Sequence, residues 1–262
     1  MPSAQNIKIL TINEINCNVV NKFLDQFIRL RTLSVNDINL SSVARLPSTL
    51  NILRASNARI NDLQISMCMH LKVLDARNNP NITTCEPFAK TLKHLAANGN
   101  SGITNCGLQS CNRIKILDAN HNPTITTCEP FAKTLRELYA YGKCGITDHG
   151  LTMCNRLKLL NAGDNPKITT CAPFGHTLIK LYADELCGIT DDGLKTCKRL
   201  HTLNASDNPK ITTCAPFAQS LKELYANNPN CGIADVGISL CTNIRILCAS
   251  NNHKISKCRC TY

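Results

Sequence analysis

The chain contains no tryptophan, and aromatic residues make up only 4% of its 262 residues. Any sizeable core must therefore be built from leucine, isoleucine, alanine and cysteine. No run of about 18 apolar residues occurs, so we expect no membrane span. The first residues, MPSAQNIKIL, lack a basic segment followed by an apolar one, so we expect no secretory signal.

Motifs of catalysis and metal binding are also missing. The sequence has no G-x-S-x-G, no P-loop and no HExxH, and its seven histidines fall at different positions. No CxxC is matched by a second CxxC or by an HxxxH, which argues against zinc. We therefore expect no enzymatic activity, no cofactor and no bound metal.

What the chain has is a fixed period of 43 residues. LKVLDARNNPNITTCEPFAKTL begins at Leu71, and matching segments begin at Ile114, Leu157 and Leu200. Each of these double repeats contains the pattern L-x-x-L-x-A twice. Counting every such pattern predicts twelve repeats of 20 to 23 residues, which begin at Ile7, Leu30, Leu50, Leu71, Leu92, Ile114, Leu135, Leu157, Leu178, Leu200, Leu221 and Ile244.

This pattern resembles that of leucine-rich-repeat proteins over essentially the whole chain. The resemblance implies an α/β solenoid shaped like a horseshoe, with a parallel sheet on the concave face and short helices or 3-10 turns on the convex face. We expect one domain over residues 1–262. Residues 1–70 would form irregular repeats and a cap, 71–243 the regular double repeats, and 244–262 a C-terminal cap, because the terminal repeats of solenoids are often atypical.

A finer resemblance rests on CGITDHGLTMC at residues 144–154, which is similar to the cysteine-containing subclass of these repeats found in F-box proteins. No F-box is visible before the first repeat. The resemblance implies a substrate receptor in ubiquitin ligation that needs a separate adaptor, or a decoy. The composition, rich in asparagine, isoleucine and lysine, also resembles repeat proteins of protists and of the giant DNA viruses of amoebae.

Each repeat should contribute one short strand, whose side chains alternate between core and solvent. In LRELYA, Leu138 should point inward and Tyr139 outward. Two return segments alternate after the strands. ITTCEPFAKTL places a proline in the first turn of a short helix, and GITDHGLTMC offers Thr147 and Asp148 as a helix N-cap.

A polar side chain is expected to close the turn after the strand. Asparagine at the ninth position of the repeat should bond loop backbone, and Lys143 and Leu186 interrupt this series. The predicted asparagines are Asn79, Asn100, Asn122, Asn165, Asn208 and Asn252.

Cysteine is abundant, with 17 residues, most of them in three rows of the repeat. Members of a row lie two repeats apart, roughly 10 Å at strand spacing, whereas a disulfide needs Cα atoms within about 7 Å. Only near Cys106 does distance alone not exclude a bond. We expect buried thiols that act as small hydrophobic side chains in a reducing compartment, the cytoplasm, or the host cytoplasm for a viral chain. The rows are Cys85, Cys128, Cys171 and Cys214; Cys68, Cys111, Cys154, Cys197 and Cys241; and Cys144, Cys187 and Cys231.

The outward strand positions form the candidate binding face. Tyrosine recurs there in every second repeat and combines apolar area with a hydrogen-bonding tip, which suits protein contact. Repeat duplication alone would produce the same regularity, and this alternative stays open. The candidate partner-binding residues are Tyr139, Tyr182, Tyr225, Asp118, Asn161, Asn204, Glu137, Lys180, Glu223 and His94.

The second position of the repeat is basic in most repeats and should form a basic lip along the sheet. With a net charge of +11, the chain favours an acidic partner. We expect a monomer that binds another protein, with nucleic acid as the alternative. Asp164, Glu185 and Asp207 near the strand ends weaken that alternative, and a solvated lip that maintains solubility would also explain the lysines. The lip comprises Lys72, Lys93, Lys115, Arg136, Lys158, Lys222 and Arg245.

Overall fold

A computed structural model describes residues 4–12, 24–41 and 45–256 of the chain. The chain divides into two compact units, Met1–Ile125 and Thr126–Tyr262, here called the first and second units. The last part of the predicted C-terminal cap, residues 257–262, lies outside the described residues. The prediction of a single domain over the whole chain stays a prediction.

The described part of the first unit contains six short parallel strands and the segments that connect them. Within this unit, consecutive strands from β1 to β6 pair in parallel. Their bounds are Ile9–Thr11, Thr32–Ser34, Ile52–Arg54, Val73–Asp75, His94–Ala96 and Ile116–Asp118. Two α-helices, α1 (Asp62–Ile65) and α2 (Asn105–Leu108), and 3-10 helices at Ala4–Asn6, Leu24–Gln26 and Glu86–Phe88 occupy the return segments.

The second unit repeats the same plan. Its strands β7 to β12 are Glu137–Tyr139, Leu159–Asn161, Lys180–Tyr182, Thr202–Asn204, Glu223–Tyr225 and Ile246–Cys248, and each again pairs in parallel with the next. Helix α3 spans Asp148–Leu151. The 3-10 helices are Glu129–Phe131, Asp192–Leu194, Ala215–Phe217 and Asp235–Ile238.

The repeat pattern predicted the strands correctly. All twelve begin two residues after the predicted start of their repeat. The central leucine of each strand from β2 to β12 is buried, and so is the alanine two residues later in ten repeats, from Ala55 to Ala249. Because alanine is small, the backbone of the repeat can pack closely against its return segment at that position, and few aromatic side chains are needed to fill the core.

The first type of return segment behaves as expected in three of four copies. Phe88, Phe131 and Phe217 are buried, and the proline before each lies in the first turn of a 3-10 helix. Phe174 is equally buried, but Pro173 lies in a turn without a helix. Glycine at position 175 replaces the alanine that ends the other three helices, and glycine disfavours the helical conformation.

The second type of return segment corrects the N-cap prediction. Thr147 occupies the N-cap of α3, but its side chain makes no capping hydrogen bond. Asp148 instead bonds the following repeat, because its carboxylate accepts from the backbone N–H of Thr169 at 2.9 Å and from the Thr169 hydroxyl at 2.6 Å. The aspartate therefore connects two repeats.

The asparagine prediction holds in every second repeat. Asn79, Asn122, Asn165, Asn208 and Asn252 are buried and bond backbone carbonyls. Asn100 was predicted wrongly, because it is exposed. In the repeats that lack a buried asparagine, a glycine follows the turn, and its N–H donates to the carbonyl of the buried asparagine of the preceding repeat. Gly102 donates to Asn79 in this way.

Candidate partner-binding face

The strand register of the second unit aligns two rows of outward side chains. Tyr139, Asn161 and Tyr182 are paired partners, and so are Tyr182, Asn204 and Tyr225. These five residues are the tyrosine row. The parallel row beside it contains Glu137, Leu159, Lys180, Thr202 and Glu223. The structure therefore brings together eight of the ten predicted partner-binding residues.

The three tyrosines of this row are half-buried, so each presents part of its ring to solvent. Burial raises the pKa of Tyr225, and the negative charge of Glu223 raises it further. The hydroxyl of Tyr225 can donate a hydrogen bond to a partner.

The asparagines between the tyrosines have a structural role that the sequence analysis did not predict. The side-chain oxygen of Asn161 accepts from the N–H of Gly163 at 3.2 Å, and that of Asn204 accepts from the N–H of Ser206 at 3.1 Å. Such a bond two residues ahead is a local turn typical of asparagine. These oxygens close their own strand ends and are already engaged.

The second outward row is partly ordered by its own contacts. The Thr202 hydroxyl donates to the Glu223 carboxylate at 3.0 Å. Thr202 is only 4% exposed, although it lies on the outward side of the sheet. Lys180 remains exposed beside it, so this part of the face offers one fixed carboxylate and one solvated ammonium group.

Acidic side chains collect where the strands of the second unit end. This acidic edge consists of Asp164, Asp184, Glu185 and Asp207. Burial raises the pKa of Asp184, and its neighbours Glu185 and Asp164 raise it further. Tyr141 donates a hydrogen bond to the Glu185 carboxylate at 3.1 Å.

Glycine makes room for this arrangement. A Cβ atom at Gly163 would lie 2.6 Å from a carboxylate oxygen of Asp184 and 3.0 Å from the Tyr141 ring. Glu185 itself has a φ of 58°, in the left-handed region that a glutamate rarely adopts. The backbone therefore holds a carboxylate at this edge in an unfavourable conformation.

The opposite edge, where the strands begin, carries the basic lip. In the second unit it comprises Arg136, Lys158, Lys222 and Arg245, of which all but Arg136 are exposed. His201 occupies the same repeat position between them. Burial lowers the pKa of His201, and the positive charges of Lys222 and Arg199 lower it further. A cleft of about 410 Å³ is lined here by His201, Gln219, Ser220, Lys222, Asn243 and Arg245.

The remaining predicted residues lie in the first unit. His94 is exposed on β5, and Asp118 is half-buried on β6. Burial raises the pKa of Asp118, which Arg77 partly offsets. Arg77 forms a two-pronged ion pair with Asp75, with N–O distances of 2.6 and 2.8 Å. Lys72, Lys93 and Lys115 line the beginning of the strands in this unit.

Sequence reasoning missed three members of the face. His201 could have been found as the non-lysine residue in the basic position. Tyr141 and Asp184 occupy the seventh position of their repeats, two residues beyond the tyrosine row. Alternation predicts outward side chains only within a strand, and this position lies beyond the strand.

Neither a cluster of metal-ligating residues nor a membrane-spanning helix occurs in the described part of the chain. No three histidine, cysteine, aspartate or glutamate residues in it are grouped so as to hold a metal ion. Within the same residues, no helix has the length and apolar character needed to cross a bilayer. That the chain is not an enzyme stays a prediction.

Comparison with known proteins identifies the fold alone. No protein-family model matches the chain, and no curated protein resembles it in sequence. The structure of the internalin inlF from Listeria monocytogenes superposes with a TM-score of 0.66 at 19% identity, covering 98% of this chain and 84% of that one. The functional domain of InlJ from the same species, which includes a cysteine ladder, superposes with a TM-score of 0.59 at 16% identity. That match covers 96% of this chain and 62% of the other, less than two thirds of its length. The chain thus has the predicted α/β leucine-rich-repeat solenoid fold.

Proposed function

We propose that the chain is a non-enzymatic scaffold that binds another protein on the open sheet face of its second unit. The observation that carries this proposal is the register that places Tyr139, Tyr182 and Tyr225 in one row. Each tyrosine exposes part of its ring. Aromatic side chains with a polar tip supply much of the binding energy at protein interfaces.

Opposite charges on the two edges support a defined orientation of the partner. The basic lip lies where the strands begin, and the acidic edge lies where they end. An acidic segment of the partner would lie over the lip, with its basic groups toward Asp184 and Glu185. Complementary charge of this kind accelerates association and fixes register, and the net charge of +11 favours an acidic partner at long range.

The test compares three versions of the full chain as bait in reducing buffer. These are wild type, the variant Tyr139→Ala/Tyr182→Ala/Tyr225→Ala, and a matched control, Met153→Ala/Val236→Ala/Leu240→Ala. The control removes three exposed apolar side chains from return segments of the same unit. We expect the partner to bind wild type and the control and to be lost from the tyrosine variant. Equal retention by all three folded proteins would reject the tyrosine row as the site.

Nucleic acid is the second candidate, and the lip and its His201 cleft are the features that favour it. Binding to phosphates would weaken steeply with salt, by about one log unit in affinity per log unit of salt for each phosphate contacted. It would also survive the tyrosine substitutions and fail in Lys222→Ala/Arg245→Ala. The acidic edge on the same face favours the protein partner.

A narrower role follows from the resemblance to F-box-associated repeats. We propose that the chain selects a substrate for ubiquitin ligation through a separate adaptor, or competes as a decoy, and acts as a monomer in the cytoplasm. The test is whether a ligase adaptor co-purifies with the chain and whether the bound partner becomes ubiquitylated. Absence of both, with the partner still bound, would leave the scaffold and remove the ligase role.

A further inference from the structure

Four pairs of cysteine side chains meet inside the return segments. In each pair the cysteine of an ITTC segment contacts the cysteine at the end of the next return segment. The pairs are Cys85 with Cys111, Cys128 with Cys154, Cys171 with Cys197, and Cys214 with Cys241, and in each pair the two side chains are close enough to shift each other's pKa. All eight are thiols in this structure.

This pairing corrects the expectation drawn from the sequence. The distance of roughly 10 Å applied to cysteines of the same row, two repeats apart. The contacts run between rows, across adjacent repeats, where the spacing is half as large. Burial was predicted correctly for seven of these eight cysteines, and Cys241 is half-buried.

The backbone fixes each pair in the same way. The N–H of Cys171 donates to the carbonyl of Gly193 at 2.9 Å, and Gly193 lies four residues before Cys197. Equivalent bonds join Cys85 to Gly107, Cys128 to Gly150 and Cys214 to Gly237, at 2.9 to 3.0 Å. A Cβ atom on Gly193 would lie 2.3 Å from the Thr169 carbonyl oxygen, so only glycine permits this approach of the two repeats.

Two other buried cysteines interact mainly with backbone groups, although Cys187 also lies near Cys171. Cys68 occupies the same repeat position as Cys111, but its thiol donates to the carbonyl of Pro47 at 3.6 Å. Cys187 is hydrogen-bonded by the backbone of Ile189. Burial raises the pKa of both Cys68 and Cys187 to about 12, so neither forms a reactive thiolate readily.

Within each pair the two thiols differ. The contact between Cys171 and Cys197 raises the pKa of Cys171 and lowers that of Cys197, while burial opposes the second effect. The other three pairs have the same polarity. In the fourth pair the cysteine of the second return segment, Cys241, is also the more exposed of the two.

We propose that these four pairs are sites of reversible disulfide formation with a small-molecule disulfide such as glutathione disulfide. The thiolate of the second cysteine attacks one sulfur of glutathione disulfide, whose S–S bond breaks and releases one glutathione thiolate. The first cysteine then loses its proton and attacks the mixed disulfide, which releases the second glutathione. The pair gives two electrons and two protons, and two reduced glutathiones form.

The pairs should close in order of access. Cys241 is half-buried, whereas Cys111, Cys154 and Cys197 are fully buried. Attack needs contact between the thiolate and the small disulfide, so the Cys214–Cys241 pair should react first, and the three buried pairs should react only when their repeats open locally. Each closed pair joins two repeats across 26 or 27 residues, which restricts the unfolded chain and raises the unfolding temperature.

The test incubates the native full chain with glutathione disulfide, blocks remaining thiols with N-ethylmaleimide in denaturant and maps linked peptides by mass spectrometry over time. We expect the four named linkages, the loss of eight thiols at completion, and Cys214–Cys241 as the first to appear. Melting should shift upward and return to its starting value after dithiothreitol. Cys68 and Cys187 should stay free thiols during the incubation and should be recovered as N-ethylmaleimide adducts.

Two variants sharpen the experiment. Cys197→Ser should abolish the linkage of Cys171 and leave the other three, whereas the matched control Cys187→Ser should form all four. Glutathione adducts on exposed Cys106 alone, or linkages scrambled among other cysteines, would overturn the proposal. If Cys197→Ser does not fold, the wild-type map decides by itself.

Discussion

Asn208 shows how much of a repeat turn can depend on one side chain. It is fully buried, and its amide donates to the carbonyl of Ala183 in the preceding repeat at 2.7 Å. Its oxygen accepts from the N–H of Lys210 at 2.9 Å. The side chain thus satisfies backbone groups of two repeats, and its bond to the Ala183 carbonyl is buried.

The substitution Asn208→Ala should destabilise the protein by about 3 kcal/mol, because it leaves buried backbone groups without partners. Leu186→Ala is the matched control, since it changes the equivalent position of the preceding repeat, where the side chain is exposed. Urea denaturation of both variants measures the effect. A loss in Asn208→Ala no larger than in the control would mean that water replaces the amide.

Glu185 is placed in a backbone conformation that costs stability. Its φ is 58°, and equivalent positions are filled by Asp164, Asp207 and Asn228. Asparagine tolerates this region better than glutamate. Glu185→Asn should therefore stabilise the protein by roughly 0.5 to 1 kcal/mol.

The control for this prediction is Glu185→Gln, which removes the charge while the backbone stays unfavourable. Thermal melting should rise for Glu185→Asn and stay near wild type for Glu185→Gln. If both variants melt at a higher temperature, repulsion along the acidic edge, and not backbone conformation, is the cause. Both variants lose the carboxylate that accepts from Tyr141, so partner binding should be measured alongside.

At the scale of the element, the contact between adjacent repeats depends less on the short helices than on the aspartate that precedes or begins each helix. The carboxylate of Asp191 accepts from the N–H of Thr212 at 2.8 Å, from the N–H of Thr213 at 3.2 Å and from the Thr212 hydroxyl at 2.6 Å. Asp148 and Asp62 each make the same contacts with the segment that lies 21 residues later in the chain. These helices are too short to be stable alone, so contacts between repeats must hold them.

The aspartate Asp191 and its neighbour Asp192 allow a controlled comparison. Asp191→Ala should lower stability by about 1 kcal/mol, because charge-assisted hydrogen bonds to three donors are lost. Asp192→Ala removes only the exposed ion pair with Lys195, and exposed pairs of this kind contribute little. Denaturant unfolding should separate the two variants, and equal values would remove the aspartate from the account of repeat stacking.

At the scale of the whole molecule, the sequence predicted what its period encodes. Strand positions, buried alanines and the tyrosine row followed from a repeat in which alternation decides which side chains face the core. What it did not predict were contacts between different positions of adjacent repeats. Asp148 bonds Thr169, and Cys128 contacts Cys154. Neither pair is visible until the offset between neighbouring repeats is known.

The candidate face could likewise be predicted only where it is formed by residues of the strands. Its outward rows follow from alternation within strands, but the acidic edge lies beyond the strands, where alternation ends. Tyr141 reaches Glu185 across two repeats because Gly163 between them has no side chain. Asn100, in contrast, misled the prediction because it shares a repeat position with the buried asparagines while its repeat forms the other kind of turn.

The contacts between unlike positions make the double repeat of 43 residues the smallest removable piece of the second unit. Deleting residues 157–199 joins Arg156 to Leu200, and the following DNPKITTC then takes the place of an identical segment. Asn208 and Thr212 would replace Asn165 and Thr169 as partners of the preceding repeat. Because repeats mainly contact their neighbours, this deletion should unfold cooperatively at a temperature close to that of the parent chain.

Deleting only residues 157–177 should behave differently, although it removes fewer residues. Leu186 would then occupy the position of Asn165 and could not donate to the Ala140 carbonyl. Asp191 would take the place of Thr170, whose backbone N–H donates to Asp148 at 3.3 Å, and would bring a second carboxylate close to that of Asp148. A buried unsatisfied carbonyl and a like-charge contact together cost several kcal/mol, roughly a 10 °C drop in melting temperature or more. Circular dichroism melting of the two deletions decides the matter: if both melt alike, the single repeat is the structural unit and the contacts between unlike positions contribute little.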